Sequence, residues 1–334
     1  MIGSPGQRQG SLAQDLCRLA MLCALIGACA PASAETYPAR PIRIITPNSP
    51  GGIEVNLRAI LPRLQAILGQ PLVLESRPGA SGTLGSELVA KAEPDGYTLL
   101  FSTSAPIVTT PLLKSHLRYD PIKDFTPITR MLQPMDALVV NTSLPVRSVA
   151  DLVRHAKANP GALTYASSGA GSLPHLNGEQ FKVSAGVDML HVPFNGLAQI
   201  TPELIAGRIN VAFFSLNVAI PLADAGQARI LANLDAGEDT SKAGLPSIRE
   251  TLPNFRRAPL WYGLLGPAGL PDEIAIKLRD AVKRAIDETE SARILFDRNF
   301  VRVLVDDQSQ FRQSIQDDRT ATLELIARIG MRAQ

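Results

Sequence analysis

Cysteine is nearly missing from this 334-residue sequence: Cys17, Cys23 and Cys29 are the three present, and none follows position 29. If the first 34 residues are removed, no disulfide can form and the fold must be held by packing. Charge imbalance is also missing, with 33 basic against 31 acidic residues and a net charge of +2. Removing residues 1–34 takes Arg8, Arg18 and Asp15, so +2 becomes +1. No basic run is interleaved with aromatics, which excludes a nucleic-acid binder, and no apolar run after position 30 is long enough to cross a bilayer. Neither G-x-x-x-x-G-K-[ST] nor G-x-G-x-x-G occurs: Gly79, Gly82 and Gly85 are spaced G-x-x-G-x-x-G. Residues 169–173 read Gly-Ala-Gly-Ser-Leu, not the G-x-S-x-G of a nucleophile elbow, and His175 follows on the same helical segment. His116, His155, His175 and His191 are scattered, and His175 with Glu179 gives at most two metal ligands, so no metal site and no cofactor is expected.

What is present begins with a basic start, the apolar run "LAMLCALIGACA" (19–30) and small residues at Ala32 and Ala34. This is the pattern of a secretory signal cleaved after Ala34, and it points to the periplasm. "IGAC" (26–29) also fits a lipoprotein signal, in which Cys29 would carry the lipid.

From Tyr37 onward, short β-branched runs alternate with amphipathic segments. Strands are predicted at 42–46, 72–76, 97–102, 137–140, 163–167, 188–194, 209–216, 228–234 and 260–266. Helices are predicted at 54–68, 86–92, 149–158, 176–185, 198–206 and 272–287, followed by a helical tail from 308. Such alternation implies mostly parallel sheets with helices on both faces. Two series are visible, which places one lobe at 37–136 plus 262–334 and a second at 137–261, with chain crossings near 137 and 262.

Open α/β sheets bind ligands at the carboxyl ends of their strands. Three glycine-rich turns lie there: "TPNSPGG" (46–52), "RPGASGTLG" (77–85) and "SSGAGS" (167–172). Each leads into a helix and can offer unpaired N–H groups to an anion. Ser172 also suits a helix N-cap. In "MLHVPFNG" (189–196), Phe194 can wall a pocket and Asn195 can donate to a ligand, although burial of Phe194 in the core fits equally.

These motifs together resemble the Bug proteins, the TctC-type extracytoplasmic solute receptors of tripartite tricarboxylate transporters. The likeness is carried by "YPARPIRIITPNSPGG", "GQPLVLESRPGASGTLGSELVAKAEPDGYTLLFSTS", "YDPIKDFTPIT", "LTYASSGAGSLPHLNGEQFK", "MLHVPFNGLAQITPELIAGRINVAF" and "WYGLLGPAGLPDEIAIKLRDAV". The resemblance implies a monomeric, non-catalytic, type II-like periplasmic binding protein of two α/β lobes that close on a small carboxylate. It assigns one carboxylate contact to Ser49, Pro50, Gly51, Gly52 and Ile53 and to Ala80, Ser81, Gly82 and Thr83. The far end of the ligand falls to Ser167, Ser168, Gly169, Gly171 and Ser172. Ser102, Ser104, Phe194, Asn195 and Phe214 complete the candidate contacts. Partners would be the membrane subunits of a transporter or, alternatively, a sensor kinase; a hydrolase using Ser172 or Ser81 is the remote alternative. Where the family often carries acidic residues, this chain has Val55 and Phe214, and "PIVTTP" (106–111) replaces a more polar stretch. Loss of two acids removes partners for a ligand ammonium, so a non-amino carboxylate is expected.

Overall fold

A computed structural model describes residues 36–47, 53–114, 116–194, 197–235 and 244–331. The leader expected at 1–34 lies outside this set, as do Ser49, Pro50, Gly51, Gly52 and Asn195. The folded body runs from Arg40; the segment before it is a separate unit, described only as the irregular stretch 36–39.

The first sheet is built from β1 (Ile42–Thr46), β2 (Leu72–Ser76), β3 (Thr98–Thr103), β4 (Phe125–Pro134), β10 (Tyr262–Pro267) and β11 (Val301–Val303), in the order β11-β4-β10-β3-β1-β2. The second contains β5 (Asp136–Asn141), β6 (Thr164–Ser167), β7 (Leu190–Pro193), β8 (Val211–Ser215) and β9 (Ala228–Asn233), in the order β7-β6-β8-β5-β9. Helices connect and cover them: α1 (Glu54–Leu68), α2 (Thr83–Ala90), α3 (Thr109–Leu113), α4 (Val149–Ala158), α5 (Leu173–Ala185), α6 (Leu197–Ile205), α7 (Leu216–Asp224), α8 (Asp272–Asp287), α9 (Glu290–Arg298) and α10 (Gln308–Ile329).

The sheets are mixed, not mostly parallel. β1–β2, β1–β3, β6–β7 and β6–β8 run parallel, and the remaining pairings are antiparallel. The reason lies in the connections: β5 and β10 each arrive directly from the other sheet and insert between strands that run the opposite way, so no right-handed βαβ crossover forces them parallel. Met135 alone separates β4 from β5.

Side chains alternate across strands, so each face of the second sheet builds its own core. Leu138 and Val140 of β5 join Tyr165, Phe181, Phe213 and Phe255 on one face. Ala137 and Val139 join Ile200, Leu204, Phe214 and Ala219 on the other. In the first sheet, Ile45, Leu100 and Leu265 pack with Trp261 and Phe311, whose rings meet edge to face at 4.9 Å.

The crossings between sheets are tied by buried charge. Arg257 reaches Asp235 with Nε at 2.7 Å and lies 3.7 Å from Asp136 through Nη1. The Asp235 carboxylate also accepts from Gln133 at 3.0 Å and from the Asp136 N–H at 3.1 Å. Burial is the largest influence on Asp136 and pushes its carboxyl up to about 6 against the pull of Arg257; Asp235 adds to the rise and a hydrogen bond with Ser215 opposes it.

Candidate functional site

The parallel strand pairs place two switch points in the molecule, one beside β1 and β3 and one beside β6 and β8, where successive connections leave in opposite directions and open a crevice. Between them lies a cavity of about 710 Å³, well within the usual range for a small-molecule site. One wall is Ser81, after β2, together with Ala105, Thr109, Thr110 and Leu113, after β3. The facing wall is Ser168, Ala170, Gly171, Ser172 and Leu173, after β6. Met331, Lys114 and His116 complete the lining, the last two as its cationic or titratable groups. Among the described residues no carboxylate lines it.

The first wall depends on glycine. The turn at Ala80–Gly82 holds Ser81 at φ 61°, ψ 34°, a left-handed conformation for a non-glycine residue, with Gly82 next to it at φ 87°. A Cβ at Gly85 would lie 3.0 Å from both the Arg77 carbonyl oxygen and Pro47 Cα, so α2 can approach the ends of β1 and β2 only with glycine there. Below this turn Glu54, 1 % exposed, accepts from the Thr46 hydroxyl at 2.6 Å, from Ser76, and from Arg58 at 3.0 Å. Burial alone would raise its pKa, but the bonds from Ser76, Thr46 and Arg58 together hold it below the usual carboxylate range.

The facing wall rests on stacked rings. His191 lies 5.0 Å from Tyr165 and 4.2 Å from His175, centroid to centroid. Tyr165 donates to Glu179 at 2.6 Å, and the hydroxyl of Ser167 lies 2.6 Å from His191 Nε2. The Gly171 N–H donates to His175 Nδ1 at 3.1 Å, which fits a neutral ring. Burial, reinforced by the neighbouring His191, pushes His175 down to about 4; His191 is also lowered, chiefly by burial. The rings therefore support the 168–172 loop as uncharged packing.

The structure brings together Ser81, Ser168, Gly171 and Ser172 from the expected set. Ser172 occupies the N-cap position of α5 but caps nothing with its side chain, and its Oγ is buried without a hydrogen-bond partner. Gly169 and Gly171 are not free donors: the N–H of Gly169 bonds to Ser167 Oγ at 3.1 Å and that of Gly171 to His175. Ala80 opens the turn beside Ser81, and Gly82 and Thr83, the end of that turn and the first residue of α2, do not themselves line the cavity. Ser102 and Ser104 are fully buried and donate to the carbonyls of Thr103 at 2.9 Å and Pro259 at 2.7 Å. Ser167 is likewise fully buried and engaged. Ile53 is buried ahead of α1, Phe214 is 2 % exposed in the second sheet's core, and Phe194 packs against that core; none of the three lines the cavity. Val55 is 46 % exposed. Residues that sequence reasoning passed over are Ala105, Thr109, Thr110, Leu113, Lys114, His116, Ala170, Leu173 and Met331.

A two-sheet α/β body with its cavity at facing switch points is the architecture of periplasmic binding proteins. The tripartite tricarboxylate transporter family receptor (TctC) pattern matches residues 57–331, and the chain belongs to that family of solute receptors. It is 32 % identical over 271 residues to protein BugT of Bordetella pertussis, covering 80 % of this chain and 83 % of that one. Among solved structures it resembles Rpa4515 of R. palustris with adipate, at 30 % identity and a TM-score of 0.75, covering 89 % of this chain and all (100 %) of that one. It also resembles MatC of Rhodopseudomonas palustris with bound malate, at 27 % identity and a TM-score of 0.69, covering 87 % and 100 %.

Proposed function

We propose that this protein is an extracytoplasmic receptor that captures a small carboxylate in the cavity between its two sheets and delivers it to the membrane subunits of a tripartite tricarboxylate-type transporter. In this reading the two sheets are the two lobes, and bending occurs where the chain crosses at 134–136 and 258–262. Residues 1–34 are the export leader.

The observation that carries the reading is the chemistry of the lining. Ser81, Thr109, Thr110, Ser168 and Ser172 line one space from both sheets together with Lys114, and the buried Ser172 Oγ has no hydrogen-bond partner of its own. Among the described loop residues, the N–H groups of Ser168, Ala170 and Leu173 have no backbone partner. Neutral donors stabilise a carboxylate through charge-assisted bonds without a fixed countercharge. Contacts divided between two walls make closure depend on the ligand. Leu113, Leu173 and Met331 give the body of the ligand an apolar environment, and no lining carboxylate is present to hold an ammonium. The ligand is therefore a carboxylate with an aliphatic or aromatic body and no amino group. Adipate and malate in the related structures are of this non-amino kind.

The test is a thermal-shift panel of adipate, malate, benzoate, aspartate and glutamate, since a ligand that binds only the folded state raises the melting temperature with concentration. A shift with at least one non-amino acid and none with aspartate or glutamate is expected. Ser172→Ala should weaken that binding by about 1 kcal/mol, roughly fivefold, for one lost hydrogen bond. Shifts confined to the amino acids, or none with any acid, would overturn the assignment.

A further inference from the structure

A second cleft of about 400 Å³ lies beside the first, lined by Arg249, Arg256 and Arg257 from the segment before β10 and by Arg328 from α10. Its acidic lining groups are Asp318 and Glu324. Asp318 is engaged, accepting from Trp261 Nε1 at 2.9 Å. Arg249, Arg256 and Arg328 make no ion pair among the described residues. Arg257 is the inner member. Its Nε holds Asp235 and its Nη2 donates to the Leu260 carbonyl at 3.1 Å, whereas its buried Nη1 has only the Asp136 carboxylate at 3.7 Å, beyond hydrogen-bond reach.

Arg257 is paired with Asp235 and Asp136, which leaves Arg249, Arg256 and Arg328 against Asp318 and Glu324, an excess of one positive charge, and a buried N–H without a hydrogen-bond acceptor is costly. Guanidinium presents planar paired donors matched to the oxygens of phosphate and carboxylate groups. An occupant with two or more clustered anionic oxygens, small enough for the cleft, would meet both conditions. The geometry points to a second ligand site here, for a small multivalent oxyanion, separate from the cavity between the sheets. The two spaces share a septum: Leu176, Ala258 and Leu325 form a buried cluster with Leu173 and Met331, which line the first cavity, packed against it. Because α5 and the 249–259 segment flank the second sheet while α10 packs on the first, an anion held here bridges both halves and biases their closure.

Calorimetric titration of the chain in low-salt buffer tests this, with inorganic phosphate in one arm, tricarballylate in another and sodium chloride at matched ionic strength as control. Saturable binding with a millimolar or tighter Kd is expected in at least one oxyanion arm and not with chloride. A response to phosphate alone assigns a phosphate source, and one to tricarballylate alone a polycarboxylate source. In the double variant Arg256→Gln/Arg328→Gln the affinity should fall at least tenfold. Both positions are exposed, and an unchanged circular dichroism melt confirms folding; should the double variant melt early, each single variant repeats the comparison. No saturable heat in either arm, or variants that titrate as the wild type does, would overturn the site.

Discussion

Asp136 and His175 pull the acid stability of this protein in opposite directions, and substituting each in turn separates them. Asp136 is 6 % exposed and faces Arg257, Asp235, Ser215 and Tyr262; its carboxyl lies at about 6 against an ordinary 3.8. The native state then binds a proton more tightly than the unfolded chain, so stability falls as pH rises from about 4 to about 6. The difference of about two pH units corresponds to about 3 kcal/mol. His175 is 7 % exposed and lies at about 4 against 6.5. Here the unfolded chain binds the proton more tightly, so stability falls as pH drops from 6.5 to about 4, again by about 3 kcal/mol. Urea midpoints measured every half unit from pH 4 to 7 should show Asp136→Asn gaining on the wild type as pH rises. His175→Gln should gain on the wild type as pH falls. His191 and Asp318 also titrate abnormally, so the difference from wild type is the quantity to read. Two variants offset from wild type by pH-independent amounts, or with slopes of one sign, would refute the reasoning.

Gly178→Ala places a Cβ 2.1 Å from Tyr165 Cε2, in the middle of the ring stack; it should cost about 2 kcal/mol by overpacking, read as a lower melting temperature. Gly171→Ala meets Leu113 Cδ1 at 2.5 Å across the cavity at φ +77°. Leu113 can swing aside, so the stability cost should be about 1 kcal/mol from the backbone alone, while affinity for the carboxylate found by thermal shift drops as the gap fills. Glu54→Ala removes the acceptor shared by the Thr46 and Ser76 hydroxyls, leaving Thr46 only the weak contact to Ser76 Oγ at 3.4 Å, and should cost about 3 kcal/mol in a denaturant titration. Because Glu54 is held below its ordinary 4.5, its contribution is present above that pH and lost as the pH falls through the folded value; Glu54→Gln should flatten that acid limb.

Local pattern was enough wherever a segment carries its own boundary signals. β1, β2, α1, α4 and α8 begin and end where periodicity and capping residues place them. β4 escaped notice because "FTPITRMLQP" contains two strand breakers; Pro127 is accommodated where β4 and β10 slip register opposite Leu265. α3 and α7 are short and interrupted by Pro111 and Pro221. Strand direction was not legible, because β5 and β10 owe theirs to crossings between sheets. In the site, glycine-rich turns were readable as turns, and Ser81, Gly171 and Ser172 do face the cavity. Composition could not reveal that Ser102, Ser104 and Ser167 turn their hydroxyls into the body, since the acceptors include Pro259, far along the chain. Nor could it bring Met331 to a cavity built from residues 81–173.

The lone methionine between β4 and β5 has a consequence for the whole molecule. Both faces of β5 are buried, and odd and even positions feed different cores, Leu138 and Val140 one way, Ala137 and Val139 the other. Adding or deleting a single amino acid at position 135 would turn the strand over and exchange bulky leucine for alanine in both interiors at once. Evolution can lengthen the loops around this receptor freely, but at that junction the spacing is a phase lock, and the two halves of the protein must change there together or not at all.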